Sequence, residues 1–212
     1  MNNLAQVHQL NPYAIQLCAT GRWIAQRHWV PATGGNFSIR SSAHSCLVTA
    51  SGKDKGELSP ADLLQVDFDE ISFSCQGKPS AETALHCALY RHYPDAKAVL
   101  HTHSVQATVF SRLISQPQYC FDGYEMQKAI QGIQSHQQAL LLPVLDNTQD
   151  MAALAVEVTR LAARQTLPYA FLVRGHGLYV WGDSLEQCKR HLEAWEFLIA
   201  CELERIKICG FS

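Results

Sequence analysis

His101 and His103 close an apolar run, Ala98-Val99-Leu100, and stand two residues apart. In an extended strand side chains alternate faces, so both rings project to the same side of a sheet and can converge on one ion. His176 lies in Arg174-Gly175-His176-Gly177, after a second apolar run and between glycines that permit a tight turn. Two strand-end imidazoles and one turn imidazole make a facial set suited to zinc or its first-row neighbours, with a position left for water or substrate. A His-x-His pair alone also fits a strand rim in a polar network; the third, glycine-flanked histidine is what favours a metal.

Anion chemistry is written into three short stretches: Thr33-Gly34-Gly35-Asn36, Ser51-Gly52-Lys53 and Pro79-Ser80. Gly35, Asn36, Ser51, Gly52 and Ser80 fall in glycine-rich turns or at a helix start, where N–H groups and hydroxyls can surround a phosphate, and Lys53 would add charge. Taken singly, each is equally an ordinary turn residue. Glu82 and Glu125 each sit near an expected helix start, where a carboxylate favours the helix dipole, and each is also a candidate general base. His86 and His92 read as packing or surface residues of a helix, and the remaining histidines show no convergent pattern.

The elements that must position these groups follow from periodicity. Asn11-Pro12 caps a helix expected to run to about residue 29, and a glycine-rich turn then leads into a half-buried strand ending near residue 40. Further strands are expected at 46–50, 64–67, 71–75, 98–103 and 140–145, and a hairpin from 170–173 and 178–181. Helices are expected after Ser59-Pro60, from Ser80 as N-cap to about residue 93, over 104–114, shortly around Glu125, over 150–165, and from Ser184 to about residue 208. Strands outnumber crossover units and long helices can cover both sheet faces. The expectation is therefore one α/β domain over residues 1–212, three-layered α/β/α, with a mixed, largely antiparallel sheet.

Composition supports small-molecule chemistry. The 212 residues are 47% hydrophobic and 17% charged, enough for one well-buried core and short for two. A formal net charge of -2 without a basic run leaves no electrostatic footprint for nucleic acid or an anionic membrane. The first residues lack a basic start followed by an apolar stretch, and no run approaches a membrane span. Eight cysteines without C-x-x-C pairing read as reduced thiols of a cytoplasmic protein.

The motifs Thr33-Gly34-Gly35-Asn36, Thr49-Ala50-Ser51-Gly52, Pro79-Ser80-Ala81-Glu82, His101-Thr102-His103 and Gly175-His176-Gly177 resemble, in this order and over nearly the whole chain, the class II aldolase and adducin family. Two local stretches, Trp29 to Ser38 and Tyr124 to Ile130, resemble the branch of that family that dehydrates a 1-phosphoketose in methionine salvage. The resemblance implies one zinc ion per subunit on His101, His103 and His176, Glu125 as acid/base, and a homotetramer with active sites near subunit contacts. In the aldolase branch the glutamate matching Glu82 is the base, which makes Glu82 the rival. A sugar-phosphate aldolase or epimerase is the alternative activity. A non-enzymatic adducin-like module is disfavoured because all three histidines are present.

Overall fold

In the computed structural model, which describes residues 11–69, 78–164 and 167–210, eight strands form one sheet. They are β1 (Asn36–Arg40), β2 (Ser45–Thr49), β3 (Leu63–Asp67), β4 (Ala98–Thr102), β5 (Gln118–Phe121), β6 (Leu140–Leu145), β7 (Ala170–Val173) and β8 (Gly177–Gly182). Their order is β3-β2-β1-β4-β8-β7-β6-β5. Every neighbouring pair is antiparallel except β6 and β7, which are parallel and joined across helix α4 (Met151–Arg164). The mixed, largely antiparallel sheet expected from the sequence is the one present.

Alternation along β4 decides which helix covers which face. Ala98 and Leu100 join a core with α1 (Pro12–Ala25), α3 (Val105–Leu113) and α5 (Leu185–Cys209). Val99 joins a second core on the opposite face with α2 (Thr83–His92) and α4. Three layers result. Val99 and Leu100 are both fully buried, and about 2 kcal/mol of transfer free energy for each such side chain anchors the strand that ends in the histidines. No helix among the described residues is long and apolar enough to cross a membrane.

Several elements depart from expectation. α1 stops at Ala25 because the chain turns through His28 (φ 58°) so that the Trp29 carbonyl can accept from the His103 N–H at 2.7 Å. α2 begins at Thr83 rather than at Ser80: the Ser80 hydroxyl and the Glu82 carboxylate are both engaged by Asn36 instead of capping or complementing a helix. β5 carries no clear periodicity, since only Phe121 of its four residues is buried, and it pairs with β6 as an edge strand. The segment around Glu125 is a short 3-10 helix, Glu125–Ala129. The strand expected at 71–75 lies outside the described residues.

Candidate active site

The end of β4 and the start of β8 lie side by side, with Thr102 opposite Leu178. The approach is close enough that a Cβ on Gly177 would stand 1.9 Å from the Thr102 carbonyl oxygen, so only glycine seats the turn against the histidine strand. From the other side a Cβ on Gly34 would meet His103 Nδ1 at 2.7 Å. α3 holds the turn in place: the Thr108 hydroxyl donates to the His176 carbonyl (3.1 Å) and the Gly175 N–H donates to Ser111 Oγ (2.8 Å).

These approaches bring the three histidines together. His101 Nε2 lies 2.7 Å from His103 Nε2 and 3.3 Å from His176 Nε2. Glu82 joins them, with Oε1 2.8 Å from His176 Nε2, and the four ligand atoms all fall within 4.8 Å of one another. His101 Nδ1 faces the Leu178 carbonyl at 3.0 Å, so its proton belongs there and its Nε2 lone pair faces the cluster. Burial pushes His101 well below the ordinary histidine range and His103 down to about 4, leaving both rings as neutral acceptors. Burial alone would raise Glu82, but the hydrogen bonds from His176 and Asn36 hold it well below the carboxylate range.

The facing Nε2 lone pairs of His101 and His103, 2.7 Å apart beside an ionised carboxylate, repel one another unless a cation lies among them. Around a tetrahedral zinc with bonds of about 2.1 Å, neighbouring donor atoms stand about 3.4 Å apart. The observed spacing is of that order, so the donor set fits a divalent metal. His101 also stacks on Tyr179 (centroids 3.8 Å apart, planes 13° apart), which fixes the ring.

Two recesses meet at Glu82. The larger, of about 530 Å³, is lined by Glu82, His103, Thr108, Asn147, Met151 and His176 among others. The smaller, of about 240 Å³, is lined by Gly34, Gly35, Asn36, Ser51, Gly52, Ser80, Glu82 and Lys55. Gly35, Asn36, Ser51, Gly52 and Ser80 thus gather in one place. Lys53 does not join them: its side chain is 52% exposed and pairs with Asp62 at 2.8 Å. Lys55, two residues on, is buried and donates to the carbonyls of Thr33 and Lys53, both at 2.7 Å. Burial lowers its pKa against the opposing pull of Asp54 and Glu82. Lys53 was the lysine expected at this site, and the course of the backbone turn points Lys55 inward in its place.

Glu125 is elsewhere. Its side chain is 72% exposed, pairs with Lys128 (2.5 Å) and His136 (3.7 Å), and borders a surface hollow with Met126 and Phe197 that shares no residue with either recess. The hydrogen bond and charge of Lys128 lower its pKa. Within one protomer Glu125 and the histidine cluster are separate.

Glu196 on α5 had no sequence signal. Fully buried on the sheet face opposite the cluster, its carboxylate accepts from the hydroxyls of Thr102 (3.0 Å) and Ser104 (2.6 Å), the two residues flanking His103. Ser104 Oγ in turn accepts from the Ala107 N–H and caps α3. Burial, partly opposed by those two hydroxyls, pushes Glu196 up to about 7. A carboxyl whose folded value exceeds its unfolded value of about 4.3 binds more protons when folded. Its stabilising contribution is therefore complete below about 4.3 and lost as pH rises through 7. Glu196→Gln should gain about 2–3 kcal/mol relative to wild type on going from pH 5 to pH 8, measured by denaturant unfolding at both values. An identical difference at both would refute the assignment.

Residues 15–203 match the family described as the class II aldolase and adducin N-terminal domain, and the chain belongs to that family. Its similarity to particular members is high. It is 51% identical over 189 residues to the methylthioribulose-1-phosphate dehydratase of Yersinia enterocolitica, covering 89% of this chain and 90% of that one. It is 49% identical over 195 residues to the protein of the same name from Pectobacterium atrosepticum, covering 92% and 95%. Among solved structures, YgbL from Klebsiella pneumoniae superposes with a TM-score of 0.76 at 26% identity, covering 89% and 87%. The L-fuculose-1-phosphate aldolase of Thermus thermophilus superposes with a TM-score of 0.74 at 24% identity, covering 93% and 97%, a likeness of fold.

Proposed function

We propose that the chain, with residues 1–212 acting as one domain, is a zinc-dependent hydro-lyase. It converts 5-methylthioribulose-1-phosphate to 2,3-diketo-5-methylthiopentyl-1-phosphate in methionine salvage. The observation that carries this reading is a three-histidine cluster fit for a divalent cation in a chain half identical to proteins named for that dehydration.

The smaller recess receives the phosphate, through N–H groups of the glycine-rich turns and the Ser80 hydroxyl, with Lys55 as the buried charge and Asn36 lining the wall. His101, His103 and His176 would hold the zinc, which would supply Lewis acidity to the ketose and so make its C3 proton more acidic. Glu125 takes that proton and returns one to the C4 hydroxyl, which departs as water. The enol left between C3 and C4 tautomerises to the ketone, and the atoms balance. Glu82, beside the cluster, orients the substrate.

An exposed Glu125 serves this chemistry only in a neighbour's site. Exposed Met126 and Phe197 surround it, and exposed Val105 and Val109 flank Thr108 at the rim of the larger recess. A head-to-tail contact that closes as a ring of four covers both apolar surfaces and sets Glu125 over the next protomer's recess. The homotetramer works in the cytoplasm, where its phosphorylated substrate is confined by charge.

The competing reading is a sugar-phosphate aldolase or epimerase with Glu82 as base, favoured by the direct contact of Glu82 with His176. Product analysis separates the two. Purified protein given methylthioribulose-1-phosphate should yield a diketo phosphate, and a chelator should stop it. An aldehyde plus a ketone phosphate, or an epimer, would establish the rival.

A further inference from the structure

His86, which its place on a helix marked as a packing or surface residue, packs in the interior and has polar partners there. It is fully buried, with Nδ1 2.7 Å from Ser38 Oγ and Nε2 2.5 Å from Asn36 Oδ1. Ser38 Oγ also lies 2.9 Å from the Tyr90 hydroxyl. At its other end Asn36 donates its amide N–H groups to the Glu82 carboxylate and to Ser80 Oγ (3.2 Å). Asn36 and Ser38 are two apart on β1, and His86 and Tyr90 are four apart on α2, so each pair shares a face and the two faces form a ladder. Asn36 is also the β-partner of His101.

Donor and acceptor roles in this chain have one solution. An ionised Glu82 only accepts, so the Asn36 atom facing it is the NH2 group, and the amide oxygen faces His86. His86 Nε2 must then carry the proton. Burial keeps the ring neutral, its pKa lowered to about 4, so Nδ1 accepts from the Ser38 hydroxyl, which accepts from Tyr90. A primary amide in the middle does not titrate, so the chain sets orientation and carries no proton.

We propose that His86 is a positioning residue: by donating to Asn36 Oδ1 it locks the amide with its NH2 toward Glu82 and Ser80, and thereby fixes the carboxylate against the histidine cluster. The proposal rests on the reading of that cluster as a metal site. Without His86 the amide can flip and present its oxygen to the carboxylate, and Glu82 then swings away.

The test is a set of four variants, His86→Gln, His86→Asn, His86→Leu and Asn36→Ala, with the double variant of the last two. Glutamine reaches where Nε2 stood and restores the donor to Asn36; asparagine reaches only the Ser38 side. His86→Leu and His86→Asn should lower kcat for the phosphoketose about 10- to 100-fold, and His86→Gln should recover most of it. In the Asn36→Ala background His86→Leu should cost nothing further. The same split should appear in cobalt(II) titrations, as a weaker affinity and an altered visible spectrum for the asparagine and leucine variants only.

Equal behaviour of His86→Gln and His86→Asn in kinetics and cobalt spectra, or full additivity of the double variant, would overturn the proposal and mark His86 as packing. If wild type turns over no sugar phosphate while the cobalt series still divides as stated, the proposed activity falls and the positioning role stands.

Discussion

His176→Ala is expected to leave the purified protein with little zinc and to lower turnover of methylthioribulose-1-phosphate by about a thousandfold or more. The loss is large because the three imidazoles are not interchangeable with solvent. The His101 ring is held by the Leu178 carbonyl and by Tyr179, and the backbone of His103 by the Trp29 carbonyl, so the strand end that carries both rings cannot move to replace the missing arm. Glu82 would lose its hydrogen-bonded partner at the same time. Metal content of the untreated protein, measured alongside kcat and the thermal midpoint, separates a lost ligand from a lost fold: the turn that carries His176 is held by Thr108 and Ser111 through its backbone, and the fold should survive. Wild-type zinc content and turnover in this variant would remove the metal centre from the reading.

The histidine cluster was legible because it obeys simple rules. Alternation puts His101 and His103 on one sheet face, and the Gly175-His176-Gly177 turn follows from glycine chemistry. The hairpin, the helices and the mixed sheet followed from periodicity in the same way. What periodicity cannot carry is partnership across the sheet or between elements. Glu196 supports Thr102 and Ser104 from more than ninety residues away, with nothing local to mark it. The ladder of Asn36, Ser38, His86 and Tyr90 does leave a trace, two polar residues two apart and two more four apart, but only the packing of α2 on β1 joins them. The start of α2 was misplaced for a related reason, since Ser80 and Glu82 look like a cap and a first-turn acid and are instead drawn to Asn36. Lys55 replaces Lys53 through the course of one turn, which side-chain chemistry does not predict.

Glu125→Gln should lower kcat by about 10²–10⁴-fold with zinc retained, the range expected for loss of a general acid/base. In isolation that result does not say whose site Glu125 serves. Co-expression with His176→Ala does. Each variant alone is inactive, one lacking the carboxylate and the other the metal. In mixed rings a site is complete when its metal centre comes from a Glu125→Gln protomer and its carboxylate from a His176→Ala neighbour. Random mixing in equal amounts makes about a quarter of the sites complete, so about a quarter of wild-type activity should return. Mixtures that stay inactive despite forming tetramers would deny Glu125 a role across the contact. Near-full activity of Glu125→Gln alone, with loss in Glu82→Gln, would move the base to Glu82, the carboxylate that already touches the histidines within its own protomer.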